Sequence, residues 1–585
     1  MYFGIGPDEV DSVLASVGRR ELEGGEWLFR QGDAGDSLYL LVRGRLQVSV
    51  RGEGEGADDA GTVLGEIAPG ESVGELGLLT GARRSAGVRA VRASELLCIE
   101  RATFERLAHQ HPTLVLRLAG SIAATLQKRT ARAPSSSRGL RTIAMIALDQ
   151  SERGREFQAD LASRLGRVGP AVMVGRGDLE RHGGAPDGVV PASFRAFVHE
   201  TENASRFVIF ECAPHDSVWT RFALQQADVV LSFADASGDP VPGADERMLL
   251  ERSDRLQARR VLVLLQPADA GAIRGTARWL EPRHLDFHLH ARAGHGDDVE
   301  RVVRILSGDA VGLVLSGGAA RGLAHIGVYK ALLEAGVPID WIGGTSVGAI
   351  IGATMATGWS VDQVVANNRE AFVRGKLFTD FTLPLISLIR GRNAERQIRR
   401  FLDFRIEDLP IPFFCVSCNV GTGAMNLHES GSLAEALRAS AALPGVLPPA
   451  VYKHELAIDG MVLNNLPVDL MQRKPVGRTI AVDLSSVKTQ QVDYDSVPSP
   501  WKMLRMRLLG RKVRAPNLMM LMLRATELGT LTRVRELGAH ADLLLAPPVR
   551  PFGMMEVAAF DRIVAAGYDY AKTEIAAWLA KRDGA

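Results

Sequence analysis

The chain has 585 residues, which is too long for one hydrophobic core and indicates roughly three or four domains. Its 69 Lys and Arg residues nearly balance its 68 Asp and Glu residues, so no overall field would draw the molecule onto nucleic acid. Four cysteines are too few for a disulfide framework, which indicates a reducing compartment.

The N terminus and the hydropathy argue against a secreted or membrane-spanning protein. The first residues, MYFGIGPDEVDSV, carry acids at Asp8 and Glu9 and lack the apolar run of a secretory signal. No uninterrupted apolar stretch reaches the ~18 residues that a spanning helix needs. We therefore expect a cytoplasmic protein that is soluble or bound to a membrane only peripherally.

Residues 20–100 are typical of a small β-roll. Short strand-like runs such as SLYLLVRG and RLQVSV are separated by glycines. A helical stretch follows, with apolar positions three and four residues apart, and it ends in the linker ARAPSSSRG. These features predict a first domain over residues 1–133.

Residues 140–305 alternate strand-like runs, among them TIAMIAL and ADVVLSF, with helical segments. That alternation predicts a middle, Rossmann-like domain with a parallel sheet covered by helices. The first strand leads into DQSERGRE, which lacks the G-x-x-x-x-G-K-[ST] pattern, so no phosphate cradle is predicted there. A new βα unit begins in VGLVLSGGAARG, and it predicts a third domain over residues 308–585.

The strongest chemical signal is the segment GTSVG, which lies between the strand-like IDWIG and the helical AIIGATMAT. Gly344 and Gly348 would let the backbone make the sharp turn of a nucleophile elbow and raise the Ser346 hydroxyl above the sheet. The N terminus of the following helix favours negative charge near that oxygen. We predict that Ser346 is a nucleophile; the alternative is a plain tight turn.

Two further segments complete an acyl-transfer site. The glycine-rich turn SGGAARG, upstream of the elbow, exposes backbone N–H groups that suit an oxyanion. A dinucleotide-binding turn is the alternative, but the G-x-G-x-x-G spacing is absent. Asp459 and Gly460 end a short strand, which can point the carboxylate into a cleft at the strand ends. Taken alone, they form an ordinary Asp-Gly turn.

In this order, the three segments resemble the patatin-like phospholipases, a family that uses a Ser–Asp dyad. The resemblance is closest to the neuropathy target esterase group, through DFTLPLISLIRGR, RASAALPGVLPP and DGMVLNNLPVDL. It implies a three-layer α/β/α catalytic domain in which Ser346 attacks and Asp459 acts as its base. The implied oxyanion loop consists of Gly317, Gly318, Ala319 and Arg321.

The sequence departs from the family pattern at two positions. Ala319 stands where the family has the third glycine of its loop, and Met461 follows Asp459-Gly460 where the family has Gly or Ala. An alanine still offers its N–H group, unless the loop requires a positive φ. Activity is therefore expected only if the loop tolerates Ala319.

The resemblance implies a serine esterase that hydrolyses fatty acyl esters of lysophospholipids or phospholipids without a metal or organic cofactor. One alternative is a catalytically silent regulatory protein of the same fold that senses a cyclic nucleotide. Another is a lipid acyltransferase, which would use the same residues. A third is a Ser–His–Asp triad that recruits His325, His454 or His540.

The segment GESVGELGLLTGARRSAGVRA and the strands before it resemble cyclic nucleotide-binding domains. The resemblance implies that Glu75, beside Gly74, holds the ribose hydroxyl, and that Arg84, beside Ser85, pairs with the cyclic phosphate of cAMP or cGMP. A surface ion pair or a scaffold for a homodimer are the alternatives. No helix-turn-helix pattern follows, so no nucleic-acid partner is expected.

Two segments combine apolar and basic residues and are candidates for peripheral membrane contact. The first is LFTDFTLPLISLIRGR (377–392), and the second is WKMLRMRLLGRKVR (501–514). The second is an irregular amphipathic pattern, because Arg505 and Lys512 fall on its apolar face. A solvated loop or a core element is its alternative interpretation.

Overall fold

The structure is a computed structural model. It describes residues 17–50, 62–110, 140–185, 188–215, 217–253, 258–268, 271–377, 379–485, 499, 501, 505 and 518–583. The chain divides into two compact units, residues 1–309 and 310–585.

The first unit begins with a β-roll whose described strands are β1 (Gly18–Leu22), β2 (Trp27–Phe29), β3 (Ser37–Arg43), β4 (Leu46–Val50), β5 (Thr62–Ile67), β6 (Ser72–Val73), β7 (Gly87–Ala90) and β8 (Ser94–Glu100). They form two antiparallel sheets, in the orders β1-β8-β3-β6 and β2-β7-β4-β5. Alternate apolar residues, such as Leu46 and Val48, are buried between the sheets. Helix α1 (Glu75–Thr80) precedes β7, and α2 (Arg101–Gln110) follows β8. The linker and the rest of the predicted helical stretch lie outside the described residues.

The rest of the first unit is built on a parallel sheet. Its strands are β9 (Thr142–Ala147), β10 (Ala171–Val174), β11 (Phe207–Cys212), β12 (Val229–Asp235), β13 (Arg259–Gln266) and β14 (Phe287–Arg292). They lie in the order β10-β11-β9-β12-β13-β14. The helices between and after them are α3 (Glu152–Val168), α4 (Arg176–Arg181), α5 (Ala192–Ala204), α6 (Val218–Gln226), α7 (Ala244–Ser253), α8 (Thr276–Leu280) and α9 (Gly296–Ser307). Nearly continuous apolar strands, such as β13, are typical of a sheet covered on both faces.

A buried charge cluster joins the β-roll to this parallel sheet. Nε of Arg92 lies 3.1 Å from Oδ1 of Asp228, and Nη1 of Arg92 lies 3.0 Å from Glu202. Arg45 approaches the same Asp228 oxygen at 3.4 Å. Burial would raise the pKa of Asp228, but Arg45, Arg92 and two backbone amides at the start of β9 bring that pKa below its ordinary value. Asp228 is therefore a buried anion whose compensating cations come from the β-roll.

The second unit contains a mixed sheet. Its described strands are β15 (Val311–Leu315), β16 (Trp341–Thr345), β17 (Phe413–Asn419), β18 (Met425–His428), β19 (Ala450–Tyr452), β20 (Glu455–Asp459), β21 (Arg478–Val482) and β22 (Leu543–Leu545). The order is β19-β20-β17-β16-β15-β21-β22, and β18 also pairs with β17. The pairs among β17, β16, β15, β21 and β22 are parallel, whereas β20 pairs antiparallel with β17.

The described helices of the second unit are α10 (Ala324–Glu334), α11 (Val347–Ala356), α12 (Val361–Arg369), α13 (Arg392–Phe401), α14 (Leu433–Ser440), α15 (Val468–Met471), α16 (Leu518–Gly538) and α17 (Phe560–Asp583). Helices α10 and α17 meet through glycines: a Cβ on Gly327 would lie 2.0 Å from the carbonyl oxygen of Val564, and one on Gly567 would lie 2.2 Å from that of Ala324. These contacts bring the two helix backbones close together.

The predicted fold class is confirmed, with a β-roll followed by mixed α/β sheets that contain parallel strands. The domain boundaries 1–133, 140–305 and 308–585 stay a prediction. All four cysteines are free, and Cys415 and Cys418 are buried in β17. Among the helices that the structure describes, none is both long and apolar enough to cross a bilayer.

Candidate active site

Ser346 and Asp459 meet in the second unit. The Ser346 hydroxyl donates a hydrogen bond of 2.6 Å to Oδ2 of Asp459, although 113 residues separate them in the chain. Ser346 follows β16 and Asp459 ends β20, and only β17 lies between these strands in the sheet. The amide of Met461 donates to the other oxygen of Asp459 at 2.9 Å. The structure therefore brings the predicted nucleophile and the predicted base into direct contact.

Burial controls the proton affinity of Asp459. Its side chain is fully buried, and this desolvation raises its pKa to about 7, against the opposing effect of the hydrogen bonds from Ser346 and Met461. A carboxyl group with a pKa near neutral is suited to general base catalysis, because it is both available in its ionised form and basic enough to take a proton.

The turn that carries Ser346 is strained. Ser346 has φ 57° and ψ −127°, a conformation that is costly for a residue with a Cβ. A Cβ on Gly344 would lie 2.8 Å from the amide nitrogen of Ala349, and one on Gly348 would lie 2.4 Å from the carbonyl oxygen of Leu315. Both glycines are therefore required by close packing, as the predicted nucleophile elbow demands.

A side chain that the sequence did not single out holds this turn. The amide of Ser346 donates to Oγ of Ser440, the last residue of α14, at 3.0 Å. Ser440 is fully buried, so this hydrogen bond is shielded from water. The hydroxyl of Thr345 donates to the carbonyl oxygen of Asn464 at 2.9 Å. These two hydrogen bonds, from Thr345 and from the Ser346 amide, hold the strained turn in place.

The predicted oxyanion loop passes directly beside the nucleophile. A Cβ on Gly317 would lie 3.1 Å from the Cβ of Ser346 and 2.7 Å from Oδ1 of Asn465. The amide of Gly317 donates to that same Asn465 oxygen at 3.0 Å. Asn465 thus uses the Gly317 amide and fixes the loop next to Ser346.

Two amides of the loop remain available. The amide of Arg321 donates to the carbonyl oxygen of Gly318, and Nε of Arg321 donates to that of Phe552 at 2.9 Å. Within the described residues, the amides of Gly318 and Ala319 have no acceptor. The geometry therefore narrows the four predicted loop residues to two free donors, Gly318 and Ala319.

Ala319 has the positive φ that the sequence analysis identified as unfavourable for an alanine. Its φ is 50°, in the left-handed region that favours glycine. An L-residue there costs about 1–2 kcal/mol relative to the right-handed region. The expectation that a positive φ would withdraw the N–H group is wrong: the alanine adopts this φ under strain, and its amide has no acceptor within the described residues.

The histidines proposed for a triad form no hydrogen bond with Ser346 or Asp459. His325 is buried, its Nε2 lies 2.8 Å from the carbonyl oxygen of Ser316, and burial lowers its pKa to about 4. His454 and His540 are exposed. In the part of the chain that the structure describes, no histidine is hydrogen-bonded to Ser346 or Asp459. The geometry favours the dyad over the triad.

In the β-roll, the residues predicted to bind a nucleotide come together around the start of α1. Gly74 has φ 91° and Glu75 begins the helix. The buried guanidinium of Arg84 donates to the carbonyl oxygens of Gly74 at 3.0 Å and Ser37 at 2.8 Å, and it stacks on the ring of Phe29. The fourth predicted residue, Ser85, is exposed.

The first helix of the parallel sheet begins with a side-chain cap. Oγ of Ser151 accepts the amide of Gly154 at 3.1 Å, and Oδ1 of Asp149 accepts the amide of Ser151 at 2.9 Å. Arg153, in the first turn, pairs with Asp235. Side chains of the protein thus accept the amides of Ser151 and Gly154, two of the donors at this helix start.

Three family profiles match successive parts of the chain. They are a cyclic nucleotide-binding domain over residues 19–111, the P-loop like domain of the neuropathy target esterase family over 139–308, and a patatin-like phospholipase over 313–471. An uncharacterized protein of the same family from Mycobacterium tuberculosis is 30% identical, over 96% of this chain and 93% of that protein. The chain belongs to the neuropathy target esterase family.

Longer members of the neuropathy target esterase family also match. Human patatin-like phospholipase domain-containing protein 6 is 30% identical over 95% of this chain and 44% of its own length. Lysophospholipase NTE1 of Yarrowia lipolytica is 29% identical over 94% of this chain and 45% of its own length. The chain thus spans less than half the length of these two relatives.

Two residues of the site were missed by sequence reasoning. Ser440 lies in RASAALPG and Asn465 in DGMVLNNLPVDL, both of which carried the resemblance to the family. Each binds a backbone amide of a distant segment, and neither contact leaves a local pattern. Their position inside family segments was the only signal that could have pointed to them.

Ser440→Ala should slow the reaction of Ser346 with a fluorophosphonate probe by about tenfold or more. The substitution leaves the buried amide of Ser346 without its acceptor, which costs about 1–3 kcal/mol and loosens the strained turn. The labelling rate of the full chain, followed by mass spectrometry, measures the effect.

Ser432→Ala is the matched control, because Ser432 caps the other end of the same helix and its Oγ accepts the amide of Glu435. It should lower helix stability by ~1 kcal/mol without changing the labelling rate. An equal loss of labelling in both variants would mean that Ser440 acts only through helix stability.

Ala319→Gly should stabilise the second unit by up to about 1 kcal/mol, because glycine adopts a positive φ without strain. Ala320→Gly, at the neighbouring buried position with a negative φ, should destabilise the unit by ~1 kcal/mol. Calorimetric unfolding of both variants tests this contrast. A loss of stability in Ala319→Gly as large as that in Ala320→Gly would contradict the assignment of strain.

Proposed function

We propose that the protein is a serine esterase that hydrolyses the fatty acyl esters of lysophospholipids or phospholipids. The observation that carries the proposal is the 2.6 Å hydrogen bond from the buried Ser346 hydroxyl to Asp459. Membership of the neuropathy target esterase family supports the reaction, and a relative named lysophospholipase supports the substrate class.

The mechanism follows from the groups around the dyad. Asp459 takes the proton of Ser346 as Oγ attacks the ester carbonyl, and the free amides of Gly318 and Ala319 donate to the oxyanion. The proton passes from Asp459 to the leaving alkoxide, and the acyl group stays on Ser346. Water, deprotonated by the same carboxylate, then attacks the acyl group, and Asp459 returns the proton to the Ser346 oxygen as the fatty acid leaves. Each step uses only water and groups of this chain.

The two alternatives make different predictions for the same residues. A lipid acyltransferase would share every step up to the acylated Ser346, and a lipid hydroxyl would replace water. A silent regulatory protein would leave Ser346 unreactive.

We also propose that the protein is cytoplasmic and contacts membranes peripherally, since the proposed substrates lie in membranes. A homodimer remains an untested prediction.

Ser346→Ala should lower fatty acid release from lysophosphatidylcholine by at least about a thousandfold, because the nucleophile is lost. Mass spectrometry of the released fatty acid and of any new lipid ester measures hydrolysis and transfer together. Ser432→Ala, a serine outside the site, should retain activity. Full activity in Ser346→Ala would refute the proposal, and a new lipid ester in place of free fatty acid would favour the acyltransferase.

The wild-type rate should increase as the pH rises through about 7, because only ionised Asp459 accepts the proton and burial raises its pKa to that value. The dependence of kcat/KM on pH, measured with a soluble short-chain ester, checks this expectation. A rate that stays constant across neutral pH would contradict the role of Asp459.

We further propose that the β-roll binds cAMP or cGMP as a regulatory ligand, with Glu75 at the ribose and Arg84 at the phosphate. The match to cyclic nucleotide-binding domains supports the ligand class. Within the described residues, the buried Nε of Arg84 has no acceptor, so at least this N–H group of the guanidinium is unsatisfied, as expected of a group that binds a phosphate. Its other two nitrogens donate to Gly74 and Ser37.

Arg84→Gln should weaken nucleotide binding by about 30-fold or more, since it removes the charge facing the phosphate. Arg83→Gln, at the exposed neighbouring residue that contacts the Gly32 carbonyl oxygen, should leave the affinity unchanged. Isothermal titration of the full chain with cAMP and with cGMP gives the affinities. Binding of neither nucleotide, or equal binding by both variants, would refute the regulatory proposal.

A further inference from the structure

A loop of the second unit displays large apolar side chains to solvent. We call residues 379–389 the apolar loop. The exposed fractions of Phe381, Leu383, Leu385 and Ile386 are 66%, 73%, 84% and 72%. Four large apolar side chains in one short segment form a patch of the kind that marks an interaction site on a soluble domain.

The apolar loop has a braced neck. Phe381 forms an antiparallel bridge with Ile389, and the amide of Thr382 donates to the carbonyl oxygen of Leu388 at 3.0 Å. The amide of Arg390 donates to the carbonyl oxygen of Asp380 at 2.9 Å, and Ile389 is fully buried. The tip therefore projects from a fixed base, and its exposure does not come from a frayed segment.

The stretch of chain that contains the apolar loop is positively charged. Residues 370–400 contain seven basic and three acidic residues. Glu370 and Glu395 form ion pairs with arginines of the same segment. Four cations are exposed and form no ion pair within the described residues: Lys376, Arg390, Arg392 and Arg396. Unpaired cations beside an apolar tip match the surface of a bilayer that contains anionic lipids.

The C-terminal end of the apolar loop is held by residues 442–446, a segment that also binds the dyad. The amides of Leu388 and Ile389 donate to the carbonyl oxygens of Gly445 and Val446. The amide of Asp459 donates to the carbonyl oxygen of Ala442, a few residues earlier in that segment. The apolar loop and the proposed catalytic base Asp459 are therefore hydrogen-bonded to the same segment.

The oxyanion loop is attached to the same cluster. Ile389 and Val446 form a small core with Met554, whose carbonyl oxygen accepts the amide of Ala320. The apolar loop is thus connected, through this small core, to elements that hold the dyad and the oxyanion donors.

We propose that the apolar loop docks the protein on bilayers that contain anionic phospholipids. Leu383, Leu385 and Ile386 insert at the boundary between head groups and acyl chains, and the four unpaired cations contact lipid phosphates. The purpose of this docking, to present lipid esters to Ser346, rests on the proposed function. The docking itself does not depend on that chemistry.

The second membrane candidate of the sequence, residues 501–514, lies outside the described residues except for Trp501 and Arg505. Its membrane contact stays a prediction from the sequence, and the docking proposal concerns the apolar loop.

The test uses the full chain carrying Ser346→Ala, so that vesicle lipid is not consumed. Co-sedimentation with vesicles of phosphatidylcholine, with and without phosphatidylglycerol, measures binding. We expect tight binding only to the anionic vesicles. Leu385→Asp combined with Ile386→Asp should weaken it by about 10–100-fold. Arg390→Gln combined with Arg392→Gln should weaken it by about fivefold for each charge removed, and added salt should have a smaller effect on this variant than on the parent.

Val451→Asp combined with Leu456→Asp is the matched control, because these residues form an exposed apolar cross-strand pair on β19 and β20 of the same unit. It should bind vesicles like the parent chain. In the chain that keeps Ser346, the loop variant should hydrolyse a soluble short-chain ester at the normal rate, which shows that the fold and the dyad are intact.

Three results would overturn the proposal: no binding of the parent chain to anionic vesicles, unchanged binding of the loop variant, or equal loss in the control. Failure of the proposed function has a different signature. Either the chain with Ser346 would hydrolyse no ester, or Ser346→Ala would retain the hydrolysis, while the vesicle measurements would still decide whether the apolar loop docks.

Discussion

The candidate active site depends on one buried hydrogen bond. The Ser346 hydroxyl donates to Asp459, whose carboxylate is buried and therefore costly to ionise. This burial raises the pKa of Asp459 to about 7, which makes the carboxylate basic enough for the proposed chemistry. The antiparallel addition of β20 beside β17 positions the pair, since it places the end of β20 next to the turn after β16. Sheet topology and proton affinity are therefore linked at this site.

The backbone near that bond is strained, and contacts from distant parts of the chain stabilise the strained conformation. Ser346 and Ala319 both adopt positive φ angles. Ser440 fixes the amide of Ser346, and Asn465 fixes the amide of Gly317. Such conformations persist only where the surroundings determine them fully. The site is thus preorganised by its support and by the glycines that let the backbones approach.

The sequence was informative where chemistry leaves a local pattern. The elbow around Ser346 has a strand, two glycines and a helix in the right order, and the family resemblance then pointed to Asp459. Ser440 and Asn465 escaped because their hydrogen bonds join segments 94 and 148 residues apart, which no periodicity or spacing encodes. The free donors of the oxyanion loop could not be predicted either, because only the structure shows which loop amides already bind an acceptor within the protein. Ala319 was flagged by its residue type, but its φ could be known only from the fold.

The junction between the β-roll and the parallel sheet limits how the chain can be divided. Asp228 lies at the start of a central strand, and its partners Arg45 and Arg92 belong to the preceding fold. A shortened chain without the β-roll would lose both of these cations and, among the described residues, would leave Asp228 only the amides of Arg141 and Thr142 as partners. The β-roll and the parallel sheet are therefore best kept together in any shortened form of the protein.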